Sequence, residues 1–165
     1  MTTSRHIHSG PHTGFAGRPS GSSLEIDTWI RSEINAISPL VERLMLLIEG
    51  SHCVNGEEPI VELALREALN NAVVHGNRLN AQKLVHVRCR CAVGKGISIT
   101  VSDQGAGFDW NAVPNPLSVE NLTAEHGRGI HLMKRLMDEV SFDRRGTKVH
   151  MVKRPANYTR TSLEE

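Results

Sequence analysis

The sequence predicts an α+β fold, a two-layer α/β sandwich with helices on one face of a mostly antiparallel mixed sheet. Three observations carry this. Several short segments alternate apolar and polar residues with period two, and others repeat apolar residues at helical spacing. The two kinds follow the order β-α-α-β-β-loop-α-β-β, with no internal repeat. At 165 residues the chain is long enough for one domain around one core.

Residues 1–22 are rich in Gly, Ser, His and Pro without an apolar period, and read as a disordered N-terminal tail. His6, His8 and His12 lie in it, and a solvated tail accounts for them. Leu24, Ile26, Thr28 and Ile30 alternate with Glu25, Asp27, Trp29 and Arg31, a strand pattern. Ser38-Pro39 offers an N-cap followed by proline at the first helical position. Val41, Leu44, Met45, Leu47 and Ile48 then keep helical spacing, and Gly50 is a natural stop. Glu57, Glu58 and Pro59 open a second helix, with acids at its positive end. Ile60, Leu63, Ala64, Ala68, Ala72 and Val73 give it an apolar face up to Gly76.

Val85, Val87, Cys89 and Cys91 form one alternating strand, and Ile97, Ile99 and Val101 form the next, joined at Gly94-Lys95-Gly96. Residues 111–126 carry two prolines and weak periodicity, a long loop of the kind that is often functional. Ile130, Met133, Leu136 and Met137 make a third, amphipathic helix. Residues 139–143 and 147–152 read as closing strands. The organisation is therefore a tail at 1–22, one domain at 23–155 and a C-terminal tail at 156–165.

Composition excludes several classes. The hydrophobic fraction of 39% and charged fraction of 22% are ordinary for a soluble globular protein. A net charge of +1 gives no electrostatic case for direct binding to nucleic acid or an anionic membrane. No apolar run approaches the ~20 residues of a membrane span. The N-terminus shows no apolar h-region, so no secretory signal is expected. Cys53, Cys89 and Cys91 read as packed thiols in a reducing cytoplasm, because no second Cys/His pair has zinc-site spacing.

The residues suited to chemistry fall in four pieces. Glu67 and Asn71 are four apart on a helix and share a face. The Asn71 carbonyl oxygen is a hard, neutral ligand that suits Mg²⁺, and Glu67 beside it can accept a proton from an attacking hydroxyl or water. Asn70 points elsewhere. Asp103 ends a strand, and a carboxylate there accepts hydrogen bonds only, which matches the exocyclic amine of adenine and repels the keto group of guanine.

Gly105 and Gly107 permit positive φ and close approach of backbone to a ligand. Gly127-Arg128-Gly129 opens a helix, where free N–H groups attract phosphate and Arg128 adds a charge-assisted contact. Thr147, after Gly146, can turn a hydroxyl to the adenine edge, directly or through water; β-propensity alone also explains it. His75 near a helix C-terminus reads as a capping residue. There is no P-loop and no protein-kinase glycine loop with a downstream H-R-D, so any ATP chemistry uses another scaffold.

Taken in order, these pieces resemble the GHKL ATPase superfamily of type II topoisomerases, MutL proteins and histidine kinases. The closer likeness is to bacterial anti-sigma-factor serine/threonine kinases of the RsbW type. It is carried by Glu67-Ala-Leu-Asn-Asn-Ala-Val-Val-His-Gly76, by Val101-Ser-Asp-Gln-Gly-Ala-Gly-Phe108 and by His126-Gly-Arg-Gly-Ile-His-Leu-Met-Lys-Arg-Leu-Met-Asp-Glu-Val140. The stretch 113–122 also looks like that family's short lid.

The resemblance implies the GHKL, or Bergerat-type, ATP-binding fold, with ATP and Mg²⁺ as cofactors. By it, Asn71 matches the Mg²⁺ ligand, Glu67 the general base and Asp103 the adenine-reading aspartate. Gly105 and Gly107 match turn glycines, Gly127 and Gly129 the phosphate loop, and Thr147 the threonine of the last box. It further implies transfer of the γ-phosphoryl of ATP to a serine on a STAS-domain anti-anti-sigma partner, and sequestration of a sigma factor by a cytoplasmic homodimer. Two alternatives stay open: a module of the same fold that uses ATP only to gate protein binding, and an ATP hydrolase that regulates another partner. The presence of Glu67 favours the kinase.

Overall fold

The computed structural model describes residues 16–20, 23–107 and 128–158. Strand β1 (Ala16–Ser20) and strand β2 (Ser23–Arg31) precede a short 3₁₀ turn and helix α1 (Ile37–Ser51). Helix α2 (Glu58–Asn70) runs on into a π-helical turn (Asn71–Gly76). Strands β3 (Leu84–Ala92) and β4 (Gly96–Ser102) form a hairpin. Helix α3 (Arg128–Leu136) and the hairpin of β5 (Glu139–Asp143) and β6 (Lys148–Lys153) complete the fold.

The strands make one six-stranded sheet in the order β1-β2-β3-β4-β6-β5, and every described pairing is antiparallel. The alternation seen in the sequence sorts its two faces. Ile26, Ile30, Val85, Val87, Ile99, Val101 and Met151 point into the core, where they meet Val41, Leu44 and Ile48 of α1, Leu65 and Leu69 of α2 and Met133 of α3. This is the two-layer α+β architecture expected from the order of elements. The opposite sheet face carries cross-strand polar pairs. Arg88 and His86 bind the two oxygens of Asp27 at 2.6 and 2.5 Å, Arg90 binds Glu25 at 2.9 Å, and the Trp29 and His86 rings stack 4.1 Å apart.

Three expectations are corrected. Residues 16–20, assigned by sequence to a tail, form an edge strand on β2. Such a strand needs only backbone partners, so apolar periodicity does not reveal it, and Pro19 is tolerated because an edge strand has a side free of the ladder. Helix α1 starts at Ile37 with Ala36 as its cap, so Ser38 and Pro39 lie inside the first turn, and it stops at left-handed His52 (φ 53°) rather than at Gly50. Cys53 and Cys91 are joined by a disulfide, with Cα atoms 5.8 Å apart, and only Cys89 is a free thiol. The fold brings together two cysteines 38 residues apart, which spacing in the sequence cannot show.

Candidate functional site

Helix α2 ends in a way that shapes the site. The N–H of Asn71 still donates to the carbonyls of Glu67 and Ala68, so the helix continues without a break. It then widens, and the N–H of Asn77 donates to the carbonyl of Ala72, five residues back, at 2.8 Å. Single π-turns of this kind are rare and concentrate at functional sites. Glu67 and Asn71 are both partly exposed, Asn70 is exposed, and Ala68 and Ala72 between them face the core. The shared face read from the four-residue spacing therefore exists.

Asp103 leaves the end of β4. Its N–H donates to the carbonyl of Thr147 at 2.9 Å, and its Oδ1 accepts from the N–H of Gly105 at 2.7 Å. Gly76 passes directly over this carboxylate: a methyl group there would sit 2.5 Å from Oδ2 and 2.7 Å from Oδ1. A methyl on Gly105 would overlap the Gly76 carbonyl. Gly105 is thus required for close approach of two backbones and has no positive φ, whereas Gly107 does (φ 79°). Gly107 abuts the turn at Arg145 (φ 59°) and Gly146 (φ 85°), and a methyl on it would lie 3.2 Å from the Thr147 side chain. The two glycine-bearing turns are packed against each other, which sets Thr147 beside Asp103.

Burial raises the Asp103 carboxyl above the ordinary aspartate value near 3.8, and this outweighs the Gly105 N–H and the Lys83 ammonium, which favour the ionised form. The carboxyl is therefore partly desolvated, with its Oδ1 held by the Gly105 N–H.

Sequence reasoning missed Asn77. It is buried, with its Oδ1 accepting from the Gln104 N–H at 2.8 Å and its Nδ2 donating to the Leu84 carbonyl at 3.0 Å. Gln104 in turn accepts from the Leu84 N–H at 2.7 Å. Asn77 ties the end of the π-turn to the strand end that carries Asp103. Its only sequence signal is an amide immediately after Gly76, which an ordinary turn explains equally well.

Ala68, Asn71, Gly76, Asp103, Met133 and Thr147 line a small cavity of about 30 Å³. Glu67 adjoins it through α3. A methyl on Gly129 would lie 2.7 Å from Glu67 Oε2 and 3.3 and 3.4 Å from the amide atoms of Asn71. The first turn of α3 is therefore seated on the Glu67–Asn71 face, and a side chain at 129 would have to displace the Glu67 carboxylate. Arg128 opens that helix and is exposed. Gly127 and the loop 111–126 lie outside the described residues.

A larger hollow of about 390 Å³ on the open sheet face, around Trp29 and His86, shares Asp103 with this cavity, and another of about 330 Å³ lies beside the β3–β4 turn. Neither is lined by Asn71 or Thr147, so size does not mark the site here. Among the described residues no group of three or more His, Cys, Asp or Glu side chains is placed to hold a metal ion. Among them, too, no helix is long and apolar enough to cross a membrane.

A sheet backed by three helices, with a carboxylate–amide pair on one helix, a strand-end aspartate and a glycine-led third helix, defines an ATP-binding domain of the GHKL class. A model of the histidine kinase-like ATPase domain matches residues 31–153, and the chain belongs to that family. It is similar to the serine-protein kinase RsbW of Staphylococcus epidermidis, 32% identical over 99 residues, which cover 56% of this chain and 62% of that protein. It is also similar to the anti-sigma F factor of Bacillus cereus, 29% identical over 102 residues, which cover 59% of this chain and 69% of that protein. The matched region is thus less than two thirds of the length of the kinase relative.

Proposed function

We propose that this chain is an anti-sigma regulatory factor with ATP- and Mg²⁺-dependent protein serine/threonine kinase activity. Its targets are a STAS-type anti-anti-sigma protein, which it phosphorylates, and a sigma factor, which it sequesters. The working unit is a cytoplasmic homodimer of the domain at 23–155, extended at its edge by β1. The observation that carries the reading is the seating of Gly129 on Glu67 and Asn71, because it joins a helix N-terminus to a base and a hard oxygen donor. The names of the relatives, a serine-protein kinase and an anti-sigma factor, support the same class.

The donor set suits the cofactors. Asn71 offers a neutral amide oxygen with the Glu67 carboxylate nearby, the hard environment in which Mg²⁺ keeps water and phosphate oxygens as its other ligands. Bound Mg²⁺ would supply charge neutralisation on the phosphates. Asp103 accepts from the adenine amine and Thr147 lies at the same edge. The N–H groups of Arg128 and Gly129 at the start of α3 would hold the phosphates, and Arg128 would add charge. Glu67 takes the proton from the attacking serine hydroxyl.

The test mixes the full chain with Mg-ATP and candidate STAS proteins and reads phosphoserine by mass spectrometry. Glu67→Gln keeps shape but removes the base, so phosphoryl transfer is expected to fall by ~10²–10⁴-fold while ATP affinity stays nearly constant. A wild-type chain that binds ATP yet modifies no STAS protein overturns the kinase assignment in favour of ATP-gated binding. A Glu67→Gln variant with the wild-type rate removes Glu67 as the base.

A further inference from the structure

We propose that Cys53 and Cys91 form a redox-sensitive modification site that clamps the loop between α1 and α2 onto β3, taking low-molecular-weight disulfides as oxidant and dithiols as reductant. The two sulfurs sit in very different surroundings. Cys91 lies within the sheet, opposite Leu24 on β2 and Ile97 on β4, and is held by both ladders. Cys53 lies on the loop 52–57, a segment in which His52 (φ 53°), Asn55 (φ 34°) and Gly56 (φ 89°) all take positive φ. For non-glycine residues such φ values carry strain that persists only where the surroundings enforce it. A fixed anchor therefore holds a strained flap, and the bond between them is the restraint that can be made and broken.

Three further features fit reversible use. Ser51 Oγ lies 3.0 Å from Cys91 Sγ and donates to the Ile48 carbonyl at 2.6 Å, so a reduced Cys91 thiol finds an acceptor already in place. The third cysteine does not compete. Cys89 is buried and its thiol is pushed up to about 12 by burial, so it holds its proton and is a poor nucleophile in exchange. Finally, the segment closed by the bond contains α2 with Glu67 and the π-turn with Asn71. The start of α2 is also tied to the sheet by the ion pair of Lys153 Nζ with Glu57 Oε2, at 3.3 Å, and by buried Val54 and Val61. In a cytoplasmic setting a disulfide is more often a sensing than a permanent bond.

The chemistry is thiol–disulfide exchange. One cysteine thiolate attacks a sulfur of the small disulfide and releases one small thiolate. The second cysteine thiolate then displaces the other, forming the Cys53–Cys91 bond. The two protons from the cysteines go to the two released thiolates, and the two electrons lost by the cysteines reduce the small disulfide to two thiols. Excess dithiol runs the sequence backwards. Cys53 and Cys91 are essentially inaccessible in the closed fold, so exchange passes through opening of the loop 52–57.

The experiment uses the full chain without nucleotide, so its outcome is independent of the kinase assignment. The protein is equilibrated with glutathione disulfide or with dithiothreitol, then split between thermal melting, hydrogen exchange and maleimide labelling after denaturation. Wild type is expected to take one maleimide after glutathione disulfide and three after dithiothreitol. Reduction is expected to lower the thermal midpoint by roughly 10 °C, the scale for losing a cross-link of this span, and to speed exchange in 52–57.

Cys89→Ser should keep both responses. Cys53→Ser and Cys91→Ser should melt alike in either buffer, and if either fails to fold, the wild-type comparison alone decides. Three labels after glutathione disulfide overturn the proposal. So does a bridge that forms and breaks while the midpoint and the 52–57 exchange stay the same.

Discussion

The proposed adenine contact needs Asp103 ionised, yet its place at the end of β4 half-buries it. Burial lifts its carboxyl above 3.8, so protonation begins at a higher pH than for an exposed aspartate. The protonated form gains a donor and loses an acceptor, so ATP affinity is expected to fall as the pH drops through this raised value. The sign for stability is the reverse. A raised folded-state value means that Asp103 favours the fold most in acid, and that this contribution is lost as the pH rises through it.

Asp27 behaves oppositely. Burial alone would raise it, but the His86 and Arg88 hydrogen bonds and charges together hold it below the ordinary range. Its stabilising contribution is present above the unfolded value and lost only as the pH falls through the lowered one. Calorimetric ATP titrations from about pH 7 to about pH 4 check the first point, and Asp103→Asn should bind weakly with a flattened pH profile. At this scale the sequence was informative about which residues the fold brings together: Asn71 and Asp103 line one cavity, and Glu67 sits with Asn71 under Gly129. It was silent at Asn77, because an amide that satisfies backbone groups has the same sequence signature as a surface turn.

The π-turn is the element on which the site depends, since it sets the carbonyl of Gly76 against Gly105 and aims Asn77 at the strand end. Asn77→Ala removes one donor and one acceptor from a buried position and leaves their backbone partners, the Gln104 N–H and Leu84 carbonyl, without the amide. The expected cost is about 1–3 kcal/mol in urea unfolding. ATP affinity should fall as well, because the Asp103–Gly105 turn loses its tie to α2. A variant that loses stability but binds ATP normally would make Asn77 purely structural.

Helices and central strands were readable because each has one face in the core, and burial imposes period 3.6 or period 2. The start of α1 was misjudged by two residues because a 3₁₀ turn comes first and no side chain caps the helix. Strand β1 was invisible because an edge strand is specified by backbone pairing rather than by a buried face.

On the scale of the whole molecule, ligand binding and folding are one equilibrium. Mg-ATP at 100 times its Kd should stabilise the folded chain by about 2.7 kcal/mol, which for a domain of this size raises Tm by several degrees. Chelating the divalent metal should remove most of that gain, because the phosphates lose their counter-charge at Asn71, and GTP should give little, because Asp103 repels its keto group. Differential scanning calorimetry with the two nucleotides, with and without EDTA, checks both. The order of strands in the sheet could be inferred only as a class. That β6 inserts between β4 and β5, and that Cys53 meets Cys91, are results of chain return over long separations, on which local periodicity carries no information.

The cavity between Asn71, Asp103 and Thr147 has a consequence in time rather than in space. At about 30 Å³ it has room for little more than a water or two, far less than the ~300 Å³ at which ligand clefts usually begin. Entry of a purine between these residues would require the α3 and β5–β6 side to separate from α2, so the observed rate of ATP binding in stopped flow is expected to level off as ATP concentration rises.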